Sequence, residues 1–210
     1  VTFERDVVPI LTRFGCNQGA CHGKSRGQNG FQLSLLGFDR DFDYHAITRE
    51  ARGRRVFPGS PENSLLLRKA SGMVPHGGGR RLQTTISAYE QLRQWIAAGC
   101  PRTPKDAPQL DRITVSPTER VMGFNALQQL VVTAYYTDGS KRDVTPLTTF
   151  LSSESVYAAA DENGLVKTGP IPGEAAIMAR FLEKIAICNI IVPMPAADNS
   201  FDYGKLPRKN

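Results

Sequence analysis

Hydrophobic residues follow a helical period in the first half of the chain and a strand period in the second. In the first half, apolar residues recur every three or four positions, as in Phe3, Val7 and Ile10, which predicts amphipathic helices. In the second half, apolar and polar residues alternate, as in segments 130–136 and 185–191, which predicts half-buried strands. The pattern therefore predicts an all-α region followed by an all-β region.

Four segments in the first half carry helix-start or helix-stop signals. They are residues 1–14, a segment with Asp41 as its N-cap, residues 60–69 beginning at Ser60-Pro61, and residues 85–98. In the last segment, Ser87 and Glu90 form a predicted capping pair, and Gly99 ends the helix. The stretch 72–79, rich in Gly and Pro, is predicted to be a loop.

A change of composition divides the chain near residue 108. The stretch 101–108 contains three prolines and reads as a linker. We therefore predict a small helical domain over residues 1–107 and a β-sandwich over residues 108–195. Residues 196–210 are polar and without pattern, and we interpret them as a tail or as the start of a further domain.

The stretch Phe14-Gly-Cys-Asn-Gln-Gly-Ala-Cys-His-Gly23 carries the most distinctive candidate chemistry. In the spacing C-x-x-C-H, two cysteines and the following histidine attach a c-type haem. Here the spacer between Cys16 and Cys21 has four residues, and its loop-forming residues Asn17–Ala20 are expected to bulge away from the group. The alternatives are a Cys16–Cys21 disulfide, a zinc site that also uses His22 and His76, or no site.

A second unusual stretch, Gly72-Met-Val-Pro-His-Gly-Gly-Gly79, places a Met and a His in the predicted loop. Both side chains are good iron ligands. His76 and Met73 are therefore candidates for a second axial ligand, with His45 as a third candidate and an open site as the remaining alternative. A bis-His site would have a lower reduction potential than a His/Met site.

Composition and charge bear on two classes of protein, those that bind nucleic acid and those that span a membrane. Lys and Arg number 26 against 20 Asp and Glu, and the excess of +6 is spread along the chain. We therefore expect no nucleic-acid partner, because such proteins concentrate basic residues on one face. No apolar run approaches the roughly 20 residues that span a bilayer. The chain begins at Val1 without Met, as expected for a processed or excised piece.

The first half resembles a c-type cytochrome domain of the kind found in large planctomycete proteins, in which the longer spacer also occurs. The resemblance rests on four stretches: Asp6-Val-Val-Pro-Ile-Leu11, Cys16…Cys21-His22-Gly23, Val74-Pro-His-Gly-Gly-Gly79 and Trp95-Ile-Ala-Ala-Gly99. It implies a small all-α cytochrome c fold with a covalently bound haem c and its iron.

The second half resembles the bacterial immunoglobulin-like (group 2) domain that follows the cytochrome in those proteins. The matching stretches are Ile113-Thr-Val-Ser-Pro117, Ala134-Tyr-Tyr-Thr-Asp-Gly-Ser140, Arg142-Asp-Val-Thr145, Ser152-Ser153, Asp161-Glu-Asn-Gly-Leu-Val-Lys167 and Gly173-Glu-Ala-Ala-Ile177. The two resemblances together cover residues 1 to about 195.

The cytochrome resemblance assigns a role to each candidate residue. Cys16 and Cys21 would form the haem thioethers, and His22 would be the proximal iron ligand. His76 would be the distal ligand, with Met73 as the alternative. Other residues would line the haem: Arg54, Arg55, Arg80 and Arg81 as propionate contacts, with Phe14 and Trp95 as pocket walls.

The resemblance implies electron transfer by a module of a larger exported protein, periplasmic or on the cell surface. The redox partner and oligomeric state do not follow from the sequence. In this interpretation the chain is not itself an enzyme, since it shows no nucleophile–base pair, phosphate loop or carboxylate pair. The alternatives are the haem domain of a multidomain oxidoreductase, and a haem-free surface binding module stapled by a disulfide.

Overall fold

The structure, a computed structural model, describes residues 1–194. The segment 196–210, predicted as a tail or as the start of a further domain, lies outside the described residues. The helical region contains α1 (Val8–Arg13), α2 (Arg40–Thr48), α3 (Leu65–Ala70) and α4 (Ser87–Ala97). A π-helical turn (Phe3–Val7) leads into α1, and short 3₁₀ turns lie at Leu35–Gly37, Glu50–Gly53 and Pro61–Asn63.

The core of the helical region forms where its two ends meet. Phe3 and Trp95 are both fully buried, and their ring centroids lie 5.7 Å apart. The Trp95 indole N–H donates to the carbonyl oxygen of Pro101 at 3.0 Å, and the backbone N–H of Phe3 donates to the same oxygen at 3.1 Å. The N-terminal π-helical turn and α4 therefore meet at the Phe3–Trp95 contact.

Three predicted helix starts are wrong in detail. Asp39 caps α2, since its carboxylate accepts the backbone N–H of Phe42, and the predicted cap Asp41 lies inside the helix. Residues 60–69 do not form one helix, because Ser64 has an extended ψ of 132° and separates a 3₁₀ turn from α3. The N-cap of α4 is Ile86 and not Ser87, so this helix has no side-chain cap.

The strand region follows. Its strands are β1 (Leu110–Ser116), β2 (Glu119–Val121), β3 (Leu127–Gln129), β4 (Val131–Tyr136), β5 (Lys141–Asp143), β6 (Thr149–Ser152), β7 (Ala158–Ala160), β8 (Leu165–Thr168), β9 (Gly173–Phe181) and β10 (Lys184–Val192). They form three sheets, ordered β1-β4-β5, β2-β10-β9-β6 and β3-β8-β7. The β2–β10 pair is parallel and the other pairs are antiparallel.

The predicted order of helices followed by strands is confirmed. In β4, Val132, Ala134 and Tyr136 are buried and alternate with more exposed neighbours, as the pattern predicts. In β10 the alternation is also present, but Ile185 and Ile187 face solvent while the opposite face of the strand is buried.

Polar contacts join the two regions. The Arg142 guanidinium lies 2.6 Å from the Asp6 carboxylate, and Arg40 lies 2.8 Å from Glu183. The Arg13 guanidinium donates to the backbone carbonyl of Glu162. These contacts join the π-helical turn to β5, the start of α2 to the β9–β10 turn, and the end of α1 to the β7–β8 connection. Within residues 1–194, no helix has the length and apolar character that crossing a membrane requires.

Candidate functional site

A cavity of about 460 Å³ opens in the helical region between the end of α1, α3 and the loop that follows α3. Both motif cysteines, Cys16 and Cys21, and two of the three candidate histidines, His22 and His76, lie on its wall. Apolar side chains of Leu11, Phe31, Leu65, Leu66 and Ala70 form much of the rest. We call this space the motif cavity, and its volume lies within the roughly 300–1,000 Å³ range of small-molecule sites.

The four-residue spacer is folded into a closed loop. The backbone N–H of Cys16 donates to the carbonyl of Leu11 at 2.8 Å, which ties the first cysteine to the end of α1. The N–H of His22 then donates back to the carbonyl of Cys16 at 3.0 Å. Because this bond closes the loop, the two cysteines face the same cavity although five positions separate them.

The spacer bulges outward, but not over its whole predicted length. Gln18, Gly19 and Ala20 are exposed, as expected. Asn17 is fully buried, so the prediction is wrong for this residue. Its side-chain amide N–H donates to the Thr12 hydroxyl at 2.9 Å, and its backbone carbonyl accepts the backbone N–H of Leu36 at 3.0 Å. Asn17 therefore anchors the loop to the helical core.

His22 is held in one orientation by backbone groups. Its Nδ1 lies 3.0 Å from the carbonyl oxygen of Phe31, and its ring packs against the Phe31 ring at 4.5 Å. Because a carbonyl only accepts, Nδ1 carries the proton and Nε2 is left as the nitrogen able to bind a metal. Burial lowers the pKa of His22, with smaller contributions from His76 and Arg55, while the bond to Phe31 opposes the decrease. The neutral form that metals require is therefore favoured.

His76 is oriented in the same way by its own loop. Its Nδ1 lies 2.9 Å from the carbonyl oxygen of Gly79, so this ring also leaves Nε2 free. The loop is fixed to the end of α3, because the Lys69 ammonium donates to the Pro75 carbonyl at 2.5 Å. The backbone N–H of Arg81 also donates to the Ala70 carbonyl at 2.8 Å.

The two imidazole rings form a matched pair. Their centroids lie 6.2 Å apart and their planes differ by 11°. Two imidazoles that coordinate one first-row metal from opposite sides have ring centres roughly 6 Å apart, given metal–nitrogen bonds of about 2 Å. The 6.2 Å between the His22 and His76 centroids is of that size, and in the structure the two rings are stacked.

The cysteines of the motif are thiols in a mainly apolar wall. All four cysteines of the chain are free, and Cys100 and Cys188 are buried away from the cavity, as predicted for small apolar residues. Burial raises the pKa of the Cys16 thiol to about 12, with a smaller contribution from Cys21. The Arg81 guanidinium lies 3.7 Å from the sulfur of Cys21.

The four candidate arginines do not share one environment. Arg54, Arg55 and Arg81 line the motif cavity, whereas Arg80 lies outside it and lines a second cavity. The buried Arg55 guanidinium donates to the carbonyls of Ala46 and Gly30, both at 2.7 Å. Arg55 therefore braces the backbone around the cavity, and Arg54 and Arg81 keep more of their donors available.

Other candidates lie elsewhere. Met73 is 56% exposed and His45 is exposed on α2, and neither lines the motif cavity. Trp95 belongs to the helical core, and Phe14 lines the second cavity. Of the three candidate distal ligands, the structure thus brings only His76 to His22.

A zinc site has little support in this arrangement. Across residues 1–194, no group of three or more His, Cys, Asp or Glu side chains is placed to hold a metal ion. Zinc in structural sites needs four ligands, and Cys16, Cys21, His22 and His76 are not grouped closely enough to supply them.

Sequence reasoning missed two residues that shape the cavity. Phe31 supplies both the carbonyl that orients His22 and the ring on which it packs. Asn17 supplies the anchor of the spacer. No local signal identifies Phe31, which lies nine residues after His22 in an apolar stretch. A signal for Asn17 was present, because Asn readily bonds to neighbouring groups.

The chain has only weak similarity to known proteins. No family model matches the chain, and no curated protein matches it. Solved structures of the S-layer protein SbsC are similar to part of it. Domains 4 and 5 align with a TM-score of 0.36 and 17% identity, covering 42% of this chain and 54% of that one.

The structure of SbsC domains 1–6 aligns with a TM-score of 0.38 and 18% identity, covering 45% of this chain and 14% of that one. The aligned part thus spans about half of the two-domain SbsC fragment and a smaller share of the longer one. Similarity at this level identifies neither the fold nor the function of the chain.

Proposed function

We propose that the motif cavity binds haem c and that the chain transfers electrons as a module of a larger exported protein. The observation that carries this proposal is the pair of imidazoles, His22 and His76. Their centroids are 6.2 Å apart and each Nδ1 faces a backbone carbonyl. Such carbonyl bonds are the usual way in which proteins fix a metal-binding histidine.

Different residues of the motif cavity would hold different parts of the haem. Cys16 and Cys21 would form the two thioethers, and the closed spacer loop brings both sulfurs to one wall. His22 would be the proximal ligand and His76 the distal one. The apolar wall formed by Leu11, Leu65 and its neighbours would exclude water from the group.

When bound, haem supplies an iron that exchanges single electrons. The protein would contribute two nitrogen ligands whose rings are already fixed by backbone carbonyls. If His22 and His76 both bound the iron, no position on it would be left for a substrate. This arrangement favours electron transfer over gas or peroxide chemistry, and bis-His ligation favours a lower potential than His/Met ligation.

Positively charged arginines at the motif cavity could pair with the propionate carboxylates of haem. Arg54 and Arg81 line the cavity and are exposed, so either guanidinium can pair with a propionate. Arg55 would act indirectly, because backbone carbonyls already accept its donors. Arg80 lies outside the cavity, so it is the weakest of the four propionate candidates.

The identity of the two regions is part of the proposal. The helical region would be a small cytochrome c fold, and the strand region a bacterial immunoglobulin-like sandwich that serves as spacer or docking surface. Haem c is attached outside the cytoplasm, so the protein would be periplasmic or on the cell surface. Its electron partner would be another redox protein.

The test is covalent haem in the full chain produced in cells with haem-maturation machinery. We expect the split, sharp bands of a reduced low-spin haem, and haem that stays with the polypeptide after denaturation. Cys16→Ser combined with Cys21→Ser should abolish this retention, while the control Cys188→Ala should keep it. A featureless spectrum in the wild type would reject the proposal, and a Cys16–Cys21 disulfide would favour the stapled binding module.

A further inference from the structure

A second cavity of about 460 Å³ lies where the helical region meets the strand region. Its wall comes from four separate parts of the chain: the end of α1, residues 80–91, and the strand-region segments 142–147 and 162–163. We call it the arginine cleft. It adjoins the motif cavity, because Arg81 lines both.

Positive charge dominates the arginine cleft. Its wall carries four arginines, Arg13, Arg80, Arg81 and Arg142, against the two carboxylates of Asp143 and Glu162. The Asp143 carboxylate already accepts the backbone N–H of Thr145 at 2.9 Å. Within the described chain, neither Arg80 nor Arg81 has a carboxylate within ion-pair distance. Arg13 pairs with Glu162 at 3.7 Å and Arg142 with Asp6 at 2.6 Å, so the guanidinium groups that the cleft presents without acidic partners are those of Arg80 and Arg81.

Arg13 adds a buried donor that lacks an acceptor. Its side chain is only 13% exposed, and one end of the guanidinium donates to the Glu162 carbonyl. Its Nε is buried and has no hydrogen-bond partner among the described residues. A buried N–H without an acceptor is unfavourable, and a ligand in the cleft would reach this one only after the Arg13 side chain moved.

The start of helix α4 faces the same space. Ile86, Ser87 and Ala88 line the cleft, and the N-cap residue Ile86 offers no side-chain acceptor to the first N–H groups. The N-terminus of a helix of 11 residues carries partial positive charge and open donors, both of which favour an anion. Neutral donors, the amides of Gln83 and Gln91, complete this side of the wall.

From these features we infer that the arginine cleft binds a small molecule bearing phosphate or carboxylate groups. Guanidinium groups match both kinds of oxyanion with paired hydrogen bonds. The volume exceeds that of a single ion and lies in the range of metabolite-sized sites. Because both regions line the cleft, the ligand would also hold them together. The inference does not depend on haem in the motif cavity.

The experiment is calorimetric titration of the full-length protein with inorganic phosphate and, separately, with citrate at constant ionic strength. We expect saturable binding of at least one anion, and the tighter of the two identifies the phosphate or the carboxylate class. Arg80→Gln should weaken that binding by about three- to tenfold, a modest effect because the side chain is exposed. Glu162→Gln, which removes a carboxylate from the wall, should strengthen it.

The matched control is Arg120→Gln, which removes the same charge from an exposed position on β2 outside the cleft. It should leave the affinity unchanged. No saturable binding of either anion by the wild type would overturn the inference. Equal losses in Arg80→Gln and Arg120→Gln would overturn it as well, because binding would then follow net charge and not the cleft.

Discussion

The motif cavity and the arginine cleft have the same volume of about 460 Å³ but different walls. The exposed surface of the motif cavity is mainly apolar, and its two imidazoles are already oriented by backbone carbonyls. The arginine cleft is lined mainly by charged and amide groups, several of which lack partners. Size alone therefore does not indicate the ligand. An apolar wall with two fixed imidazoles suits a flat metal-bearing group, and a wall of guanidinium groups suits an anion.

The largest expected effect concerns the distal ligand. Replacing His76 with Ala should convert a low-spin haem to a high-spin one, because His76 is the only distal candidate on the cavity wall. The visible spectrum of the oxidised and reduced protein measures this change. Met73→Ala and His45→Ala are matched controls and should leave the spectrum unchanged. Loss of the low-spin bands in Met73→Ala, with His76→Ala unaffected, would reassign the ligand.

The second prediction concerns the spacer loop and has a control in the same loop. A Cβ added to Gly23 would lie 2.0 Å from the backbone carbonyl oxygen of Asn17, whereas one added to Gly19 would meet nothing within 4 Å. Gly23→Ala should therefore destabilise the helical region by about 2 kcal/mol or more and reduce haem attachment. Gly19→Ala should do neither. Denaturant unfolding and haem content measure the two effects, and equal behaviour of the variants would contradict the loop structure.

The third prediction uses pH. Burial tends to raise the pKa of Glu4, but hydrogen bonds from Thr103 and Arg102 outweigh it, so the pKa lies below the ordinary value of 4.5. A lowered carboxyl pKa contributes stability that is present above the ordinary value and is lost as the pH falls through the folded-state value. Glu4→Gln should therefore cost about 1–2 kcal/mol at pH 7.

The loss caused by Glu4→Gln should diminish on acidification. Urea unfolding of the wild type and the variant at several pH values between 7 and 3 measures the difference directly. A difference that stays constant over this range would show that Glu4 is not stabilised as a carboxylate.

The smallest effect concerns the contact between the two regions. The Arg142–Asp6 pair is only partly exposed, with side chains 31% and 13% accessible. A double-mutant cycle with Arg142→Gln and Asp6→Asn should give a coupling of about 1 kcal/mol that weakens with added salt. A coupling of zero at low salt would indicate that the two regions are not joined by this pair.

The strands could be predicted from the sequence because their burial follows a simple alternation. Val132, Ala134 and Tyr136 are buried as the pattern requires. Helix starts were less predictable, since several polar residues compete for each cap. Asp39 rather than Asp41 reaches the N–H of Phe42. The break at Ser64 arises where its hydroxyl accepts the N–H of Phe57, a partner seven residues away.

The residues of the motif cavity could be selected from the sequence, but their orientation could not. The motif identified Cys16, Cys21 and His22, and the loop composition identified His76. Both rings are oriented by backbone carbonyls, those of Phe31 and Gly79. Every residue has such a carbonyl, so the residue types in the sequence do not show which one a histidine will contact. The arginine cleft could not be predicted at all. It exists only because the helical region packs against the strand region and brings Arg13, Arg80 and Asn163 to one wall.

The measurement that tests the account most directly is electron paramagnetic resonance of the oxidised holoprotein, alongside His76→Ala. The planes of the His22 and His76 rings differ by 11° in the structure. If both rings bind one iron in this orientation, the wild type should give the rhombic low-spin signal that parallel imidazole planes produce, and the variant should give a high-spin signal. A high-spin signal in the wild type, or a low-spin signal that His76→Ala leaves unchanged, would contradict the claim that both rings bind the iron.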